Sequence, residues 1–177
     1  VYTLDMDIKI PYTPRKHQKL LHQQIDKHRW SVLVCHRRFG KTVCMINHLI
    51  RSALLSKLKN PRFAYIAPTF KQAKSIAWDY MKQFTDKIPY IKFNETELRV
   101  DLPNGSRITL LGSDSPDGLR GIYLDGCVID EYANVNSKLF PEIIRPALSD
   151  RKGYCVFIGT PAGMNNNFYE LYQHAQG

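Results

Sequence analysis

Short apolar stretches alternate with helical segments along most of this 177-residue chain. The apolar stretches, rich in β-branched and aromatic residues, lie at 30–35, 62–67, 126–130 and 154–159. The segments with helical character lie at 14–28, 43–58, 69–85, 137–148 and 166–174. Strands without a polar face that alternate with helices are typical of a parallel sheet covered by helices on both sides. The sequence therefore predicts an α/β fold, in which ligands bind at the carboxyl ends of the strands.

Residues 97–102 and 106–111 alternate apolar and polar side chains on either side of Asn104 and Gly105. An Asn-Gly pair between two such stretches is a strong signal for a β-hairpin, which is predicted here as an insertion into the sheet or an extension of its edge. No repeat, low-complexity tract or long linker interrupts the chain, and 44% of its residues are hydrophobic. Residues 1–177 are therefore expected to form one domain.

The net charge of +9 is concentrated near the amino terminus. Residues 1–60 contain 12 Lys and Arg against 3 Asp and Glu, whereas the two signs balance in residues 61–177. This asymmetry favours a polyanionic partner, either nucleotide phosphates or a nucleic-acid backbone, although a solvated basic face would have the same composition.

Composition and pattern also exclude several classes of protein. No stretch approaches the roughly 20 consecutive apolar residues of a membrane span, and the first residues lack the pattern of a signal peptide. The four cysteines contain no CxxC pair and are expected to be buried free thiols in a reducing compartment. The six histidines have no metal-binding spacing.

The segment between the first apolar strand and the following helix has the residues of a phosphate-binding loop. It reads His36, Arg37, Arg38, Phe39, Gly40, Lys41, Thr42. A glycine lets the backbone approach a phosphate, a lysine neutralises the β- and γ-phosphate oxygens, and a hydroxyl can bind Mg²⁺. The usual pattern Gly-x-x-x-x-Gly-Lys-Ser/Thr would begin at position 35, where this chain has Cys35. The two arginines add positive charge that could contact phosphates or a neighbouring subunit.

A second strand ends in two adjacent carboxylates, Asp130 and Glu131. Beside the phosphate-binding loop, Asp130 would hold Mg²⁺ through its water ligands, and Glu131 would align or deprotonate the attacking water. The strand at 154–159 is followed by Thr160, whose hydroxyl could sense the γ-phosphate. The expected cofactors are therefore ATP and Mg²⁺, and the expected reaction is ATP hydrolysis.

Together these motifs resemble the N-terminal ATPase domain of the large terminase subunit, the DNA-packaging motor of tailed bacteriophages. In this family arginines precede the Gly-Lys-Ser/Thr of the P-loop and the first glycine is often absent, as in residues 36–42. Further matching motifs follow in the family's order at 102–106, 110–114, 118–121, 128–133, 144–153 and 159–163. The resemblance covers nearly the whole chain. It implies a P-loop NTPase fold of the RecA/ASCE-like type, with a mostly parallel sheet flanked by helices and an inserted β-hairpin.

The resemblance also implies roles that spacing alone does not define. Residues 12–18 match the adenine-side motif, in which Gln18 would read the base and Tyr12 or Arg15 would flank it. Residues 159–161 match the coupling motif that links hydrolysis to movement, with Thr160 as the sensor.

Arg120, in the stretch Gly-Leu-Arg-Gly, matches the arginine finger that the family supplies to the nucleotide of a neighbouring subunit. Because Arg37 and Arg38 could also reach a phosphate, the sequence leaves open which arginine is the finger.

The implied function is Mg²⁺-dependent ATP hydrolysis that drives double-stranded DNA into a viral prohead, in the cytoplasm of the infected host cell. The implied partners are double-stranded DNA, the portal protein, the small terminase subunit and further copies of the chain in a ring. The acids beyond Glu131 are not clustered, so no nuclease activity is expected. The chain is therefore expected to be a fragment without the lid and nuclease domains.

Two other functions are compatible with the same motifs. A superfamily 2 helicase or another DNA translocase shares the adenine motif, the P-loop and the Asp-Glu pair, but it carries a second motor domain. A nucleotide-binding regulatory module that does not hydrolyse ATP is the other alternative. Glu131 argues against that module, since a site without turnover needs no base.

Overall fold

The structure is a computed structural model that describes residues 2–3, 7–8, 10–34, 40–115 and 119–159. Its strands are β1 (Tyr2–Thr3), β2 (Asp7–Ile8), β3 (Trp30–Val34), β4 (Arg62–Ala67), β5 (Lys92–Asn94), β6 (Arg99–Asp101), β7 (Arg107–Gly112), β8 (Gly126–Ile129) and β9 (Tyr154–Gly159). Its α-helices are α1 (Lys16–Lys27), α2 (Lys41–Leu55), α3 (Phe70–Ala73), α4 (Asp79–Thr85) and α5 (Arg145–Ser149). Turns of π-helix lie at Lys74–Trp78 and Phe140–Ile144, and a 3₁₀ turn lies at Tyr132–Asn134.

Within the described residues, seven strands form one sheet in the order β3-β9-β8-β4-β7-β6-β5, and β1 pairs with β2 separately. The five strands from β3 to β7 in this order are parallel, whereas β6 and β5 are antiparallel to their neighbours. The predicted mostly parallel sheet is confirmed. The predicted hairpin, β6–β7, extends the edge of the sheet, because β7 pairs in parallel with the whole of β4.

The predicted helices lie close to their expected positions. The segment predicted at 69–85 is helical from Phe70 to Thr85 with a π-helical turn in its middle, and the segment predicted at 137–148 consists of a π-helical turn followed by α5. The helix predicted at 166–174 lies outside the described residues. In the chain as far as it is described, no helix combines the length and apolarity needed to cross a bilayer.

Side chains that alternate across the strands fill one core on each face of the sheet. Phe63 and Tyr65 of β4 belong to the core on the α2 side, and Ala64 and Ile66 belong to the core on the α5 side. Buried residues surround α2 on most of its circumference. Each fully buried Leu or Ile on it stabilises the fold by roughly 1.5–3 kcal/mol. The start of α2 is therefore fixed firmly against the sheet.

The cysteines in the described part of the chain are Cys44, Cys127 and Cys155, and all three are buried free thiols, as expected. Cys35 lies outside the described residues. A search of the described residues finds no group of three or more His, Cys, Asp or Glu side chains that could hold a metal.

Candidate nucleotide-binding and catalytic site

The carboxyl ends of parallel strands share one edge of the sheet, and this edge brings two distant motifs together. Lys41 is the first residue of α2, and Asp130 directly follows β8. Their side chains form an ion pair, with 3.3 Å between Lys41 Nζ and Asp130 Oδ1, and they are 13% and 3% exposed. The phosphate-binding motif and the carboxylate motif therefore lie at the same place in the fold.

The Asp130 carboxylate is buried, but both of its oxygens accept hydrogen bonds. Oδ1 accepts from the backbone N–H of Glu131 at 2.8 Å and from Lys41 Nζ. Oδ2 accepts from the hydroxyl of Tyr65. A buried carboxylate is costly unless it is paired and hydrogen-bonded, so these donors compensate for its removal from water.

Tyr65 lies on β4, opposite Val128 of β8 in the sheet register, with its side chain on the face that α2 covers. Val128 and Asp130 point to this same face because side chains alternate along the chain. Burial first, and then the negative charge of Asp130, raise the pKa of Tyr65 well above its usual value, so the hydroxyl stays protonated and donates.

Glu131 has a backbone conformation that is unusual for a residue other than glycine. Its φ is 48° and its ψ is 49°, which lies in the left-handed region. Such strain costs of order 1–3 kcal/mol and is concentrated at functional sites. The backbone N–H of Glu131 is bound to the Asp130 carboxylate. This hydrogen bond holds the backbone of Glu131 in place at the end of β8, and with it the Cα from which the side chain extends.

The donor chemistry of this site fits Mg²⁺. Asp130 offers carboxylate oxygens at the end of β8, and Thr42 offers a hydroxyl oxygen in the first turn of α2, next to the Lys41 that pairs with Asp130. Oxygen atoms are the ligands that Mg²⁺ prefers, and Mg²⁺ is usually bound by one or two protein groups together with phosphates. Thr42 and Asp130 are the residues that would hold it.

The adenine-side motif lies against the start of α2. Gln18 is 4% exposed, its Nε2 donates to the carbonyl of Gly40 at 3.2 Å, and its Oε1 accepts from the backbone N–H of Arg15 at 2.9 Å. Gly40 has a φ of 72°, and a Cβ placed there would lie 2.5 Å from the Arg15 guanidinium. The positive φ therefore favours glycine at position 40, and both ends of the Gln18 amide bond to the chain itself. Its reading of the base stays a prediction.

Tyr12 precedes α1 and is connected to α2 by two histidines, His22 and His48. Its hydroxyl lies 3.0 Å from His22 Nε2, and His22 Nδ1 lies 2.8 Å from His48 Nδ1. The two imidazole rings are stacked with centroids 5.1 Å apart. Burial lowers the pKa of His22 to about 4 and that of His48 to about 3, so both rings are neutral near pH 7. This pair fixes the position of α1, and with it the adenine-side motif, on α2.

Stability is expected to fall below pH 6.5 because of His48. In that range the unfolded chain binds a proton at this imidazole, whereas the folded chain, with a pKa of about 3, does not. At pH 5 the loss attributable to His48 is about 2 kcal/mol relative to pH 8; at pH 6.5 it is about 0.4 kcal/mol, and near pH 8 it is nearly absent. The free energy of unfolding, measured with urea, should fall between pH 8 and pH 5 by about 2 kcal/mol less in the His48→Gln variant than in the wild type.

The exposed residue His28 provides the control for this measurement. Its ring nitrogen bonds only to the Gln24 carbonyl on the surface of α1. His28→Gln should leave the difference in unfolding free energy between pH 8 and pH 5 as it is in the wild type. Equal pH dependence in the wild type and in His48→Gln would contradict the assignment.

The other predicted site residues are described only in part. Arg120 is exposed and follows the buried Leu119, on the connection that leaves β7 at the carboxyl edge of the sheet. The structure does not bring Arg120 into contact with Lys41 or Asp130. Thr160 lies outside the described residues. The same is true of four residues of the phosphate-binding loop: His36, Arg37, Arg38 and Phe39.

Sequence reasoning did not find Tyr65. The stretch Arg62–Ala67 has the composition of a core strand, so its tyrosine has no local feature that indicates a polar role. The signal lies in the register between β4 and β8, which is a contact between residues distant in sequence.

This fold and this site define a P-loop NTPase-like domain. The sequence model of the family described as "Terminase large subunit, T4likevirus-type, N-terminal" matches residues 34–176. The chain therefore belongs to the terminase large-subunit family of phage DNA packaging, as its resemblance to that family predicted.

Individual relatives agree with this assignment. The large terminase subunit of Thermus phage G20c is 31% identical over 126 residues, which cover 60% of this chain and 26% of the relative. That of Thermus virus P23-45 is 30% identical over 126 residues, with the same coverage of both proteins. The chain thus spans about a quarter of the length of these curated relatives.

Solved structures show the same fold. An arginine-to-alanine variant of the large terminase ATPase domain of Thermus phage P74-26 superimposes with a TM-score of 0.76 at 25% identity, covering 92% of this chain and 71% of that one. The large terminase of bacteriophage HK97 gives a TM-score of 0.76 at 14% identity, covering 93% and 37%. The large terminase of a thermophilic bacteriophage in complex with ATP-γ-S gives a TM-score of 0.66 at 16% identity, covering 81% and 37%.

Proposed function

We propose that this chain hydrolyses ATP with Mg²⁺ and that hydrolysis moves double-stranded viral DNA into a prohead, in the cytoplasm of the infected host cell. The observation that carries the proposal is the ion pair between Lys41 and Asp130, which joins the start of α2 to the end of β8. Lysine at a helix start and carboxylates at a neighbouring strand end are the parts that phosphoryl transfer from ATP requires.

Each residue of the site has a defined task in this reaction. Backbone N–H groups at the start of α2 bind the phosphates, where the helix dipole favours negative charge. Lys41 neutralises the β- and γ-phosphate oxygens, and Thr42 and Asp130 hold Mg²⁺. When bound, Mg²⁺ neutralises charge that develops on the transferred phosphoryl group. Glu131 accepts a proton from the attacking water or orients it.

Lys41 must change partner when ATP binds. Its ammonium now pairs with Asp130, and the phosphates compete with this carboxylate for the same charge. The exchange would leave Asp130 bonded to Tyr65 and to the Glu131 N–H, with free acceptor capacity for the metal's water ligands. The ion pair thus holds the carboxylate in place for its later role.

The remaining assignments belong to the same proposal. Gln18 reads the adenine and Tyr12 or Arg15 flanks it, which the bond of Gln18 to the Gly40 carbonyl beside the start of α2 supports. Thr160 senses the γ-phosphate, and residues 36–39 surround the phosphates. An arginine of a neighbouring copy, taken as Arg120, completes the site in a homo-oligomeric ring that works with the portal protein and the small terminase subunit.

The proposal is tested by phosphate release from the purified chain, measured with ATP, with and without Mg²⁺, and in the presence of two unrelated DNA duplexes. Release should require Mg²⁺. Affinity for both duplexes should be equal and should fall steeply with salt, because phosphate contacts by Lys and Arg release counterions. ATP binding without phosphate release would favour the regulatory module, and separation of the duplex strands would favour the helicase. Either result would overturn the proposal.

A further inference from the structure

We infer that Tyr65 is a positioning residue for the Mg²⁺ site: its hydroxyl holds the Asp130 carboxylate in the orientation that receives the metal. This inference rests on the proposed ATPase function. The two candidate metal-holding residues come from different elements, since Thr42 lies in the first turn of α2 and Asp130 follows β8. Tyr65 lies on a third element, β4, and its hydroxyl donates to Asp130 Oδ2.

The Asp130 carboxylate is held from both of its oxygens. The Tyr65 hydroxyl donates its proton to Oδ2, while Oδ1 accepts from the backbone N–H of Glu131 and from Lys41 Nζ. When Lys41 turns to the phosphates, the bonds from Tyr65 and from the Glu131 N–H remain. The Tyr65 hydroxyl is then the side-chain donor that keeps the carboxylate in its orientation, and the remaining lone pairs stay open for the metal site.

Tyr65 is well placed to hold this orientation rigidly. Its side chain is fully buried in the core on the α2 side. β4 is central in the sheet, with β8 on one side and β7 on the other. Groups that orient metal ligands typically change metal affinity by 10–100-fold when they are removed. The hydroxyl of Tyr65 therefore acts on the metal site through Asp130.

Tyr154 offers a matched control in the same core. It packs against the same hydrophobic cluster, and its hydroxyl lies 2.8 Å from the Ser52 hydroxyl. It begins β9 at the amino edge of the sheet, on the side opposite the nucleotide site. Tyr65→Phe and Tyr154→Phe each remove one hydrogen-bonded hydroxyl, and each should lower the melting temperature of the chain without ligand to a similar extent.

The test measures the binding of ATP-γ-S by the rise in melting temperature, as a function of Mg²⁺ concentration and without turnover. The Tyr65→Phe variant should need about tenfold more Mg²⁺ for half of the full effect. Its affinity for ATP-γ-S in EDTA should equal that of the wild type. Tyr154→Phe should keep the wild-type Mg²⁺ requirement. A Tyr65→Met variant, which also lacks the hydroxyl but packs differently, should show the same shift despite a different loss of stability.

Three results would overturn the inference or its basis. A wild-type Mg²⁺ requirement in Tyr65→Phe or Tyr65→Met would overturn the positioning role. An equal shift in Tyr154→Phe would assign the effect to general loss of stability and would also overturn it. If the wild type itself gained no stability from ATP-γ-S at any Mg²⁺ concentration, the proposed function would fail first, which distinguishes the two failures.

Discussion

Replacing Glu131 with Gln is expected to lower the rate of ATP hydrolysis about 10³-fold while ATP binding remains intact. The amide has the shape of the carboxylate, but it cannot accept a proton from water. The backbone strain at position 131 is the same for both residues, and the N–H that bonds to Asp130 is retained. Hydrolysis is measured as phosphate release under saturating ATP, and binding is measured with a fluorescent ATP analogue.

The control for this variant is Glu142→Gln, which removes the same charge from an exposed position at the π-helical turn Phe140–Ile144. Its phosphate release should match that of the wild type. Retention of more than about a third of wild-type turnover by Glu131→Gln would remove Glu131 from the reaction. Loss of ATP binding in that variant would instead assign it a structural role.

Mixing an Arg120→Ala chain with a Lys41→Ala chain is expected to restore ATP hydrolysis that neither variant has alone. An arginine finger is worth roughly 10³–10⁵ in rate, so each variant should be nearly inactive. In a mixed ring, an Arg120→Ala subunit keeps an intact phosphate site and can receive the arginine of a Lys41→Ala neighbour. The exposed position of Arg120 leaves its side chain available to such a neighbour.

Restoration is measured as phosphate release per subunit while the ratio of the two variants is changed at constant total concentration. It should peak at an intermediate ratio. Arg145→Ala, which removes an exposed arginine at the start of α5, is the control and should keep wild-type activity by itself. A linear dependence on the ratio, without a maximum, would contradict an arginine supplied in trans by Arg120 and would direct attention to Arg37 and Arg38.

The parallel core of the fold could be predicted because its signals are local. Strands such as Arg62–Ala67 are short, apolar and followed by helices, and this pattern has few alternatives to a parallel sheet. β5 could not be predicted, since its residues Lys-Phe-Asn are mostly polar and it forms only by pairing with β6 at the sheet edge. The position of the hairpin at the edge likewise depends on the pairing of β7 with β4, which no local pattern encodes.

The residues of the site likewise include some that could be predicted from the sequence and one that could not. Lys41 and Thr42 could be identified at a helix start, and Asp130 and Glu131 at a strand end, because each pair has recognisable neighbours in sequence. The structure brings Lys41 and Asp130 into contact. Tyr65 could not be identified, because its contact with Asp130 follows from the register of two strands.

The contacts around Gly40 illustrate the same limit. Gln18 could be chosen from its motif, but its bond to the Gly40 carbonyl depends on how α1 packs on α2. Local chemistry is therefore readable from sequence, whereas the bonds that orient it depend on tertiary packing.

The central claim is that one pocket holds the triphosphate between the start of α2 and the end of β8. A crystal structure of the chain with ATP-γ-S and Mg²⁺ tests it most directly. The account predicts the γ-phosphate about 3 Å from Lys41 Nζ, with the metal beside Thr42 and Asp130 and with Glu131 facing the terminal phosphorus. A nucleotide bound elsewhere, while Lys41 keeps its ion pair with Asp130, would contradict it.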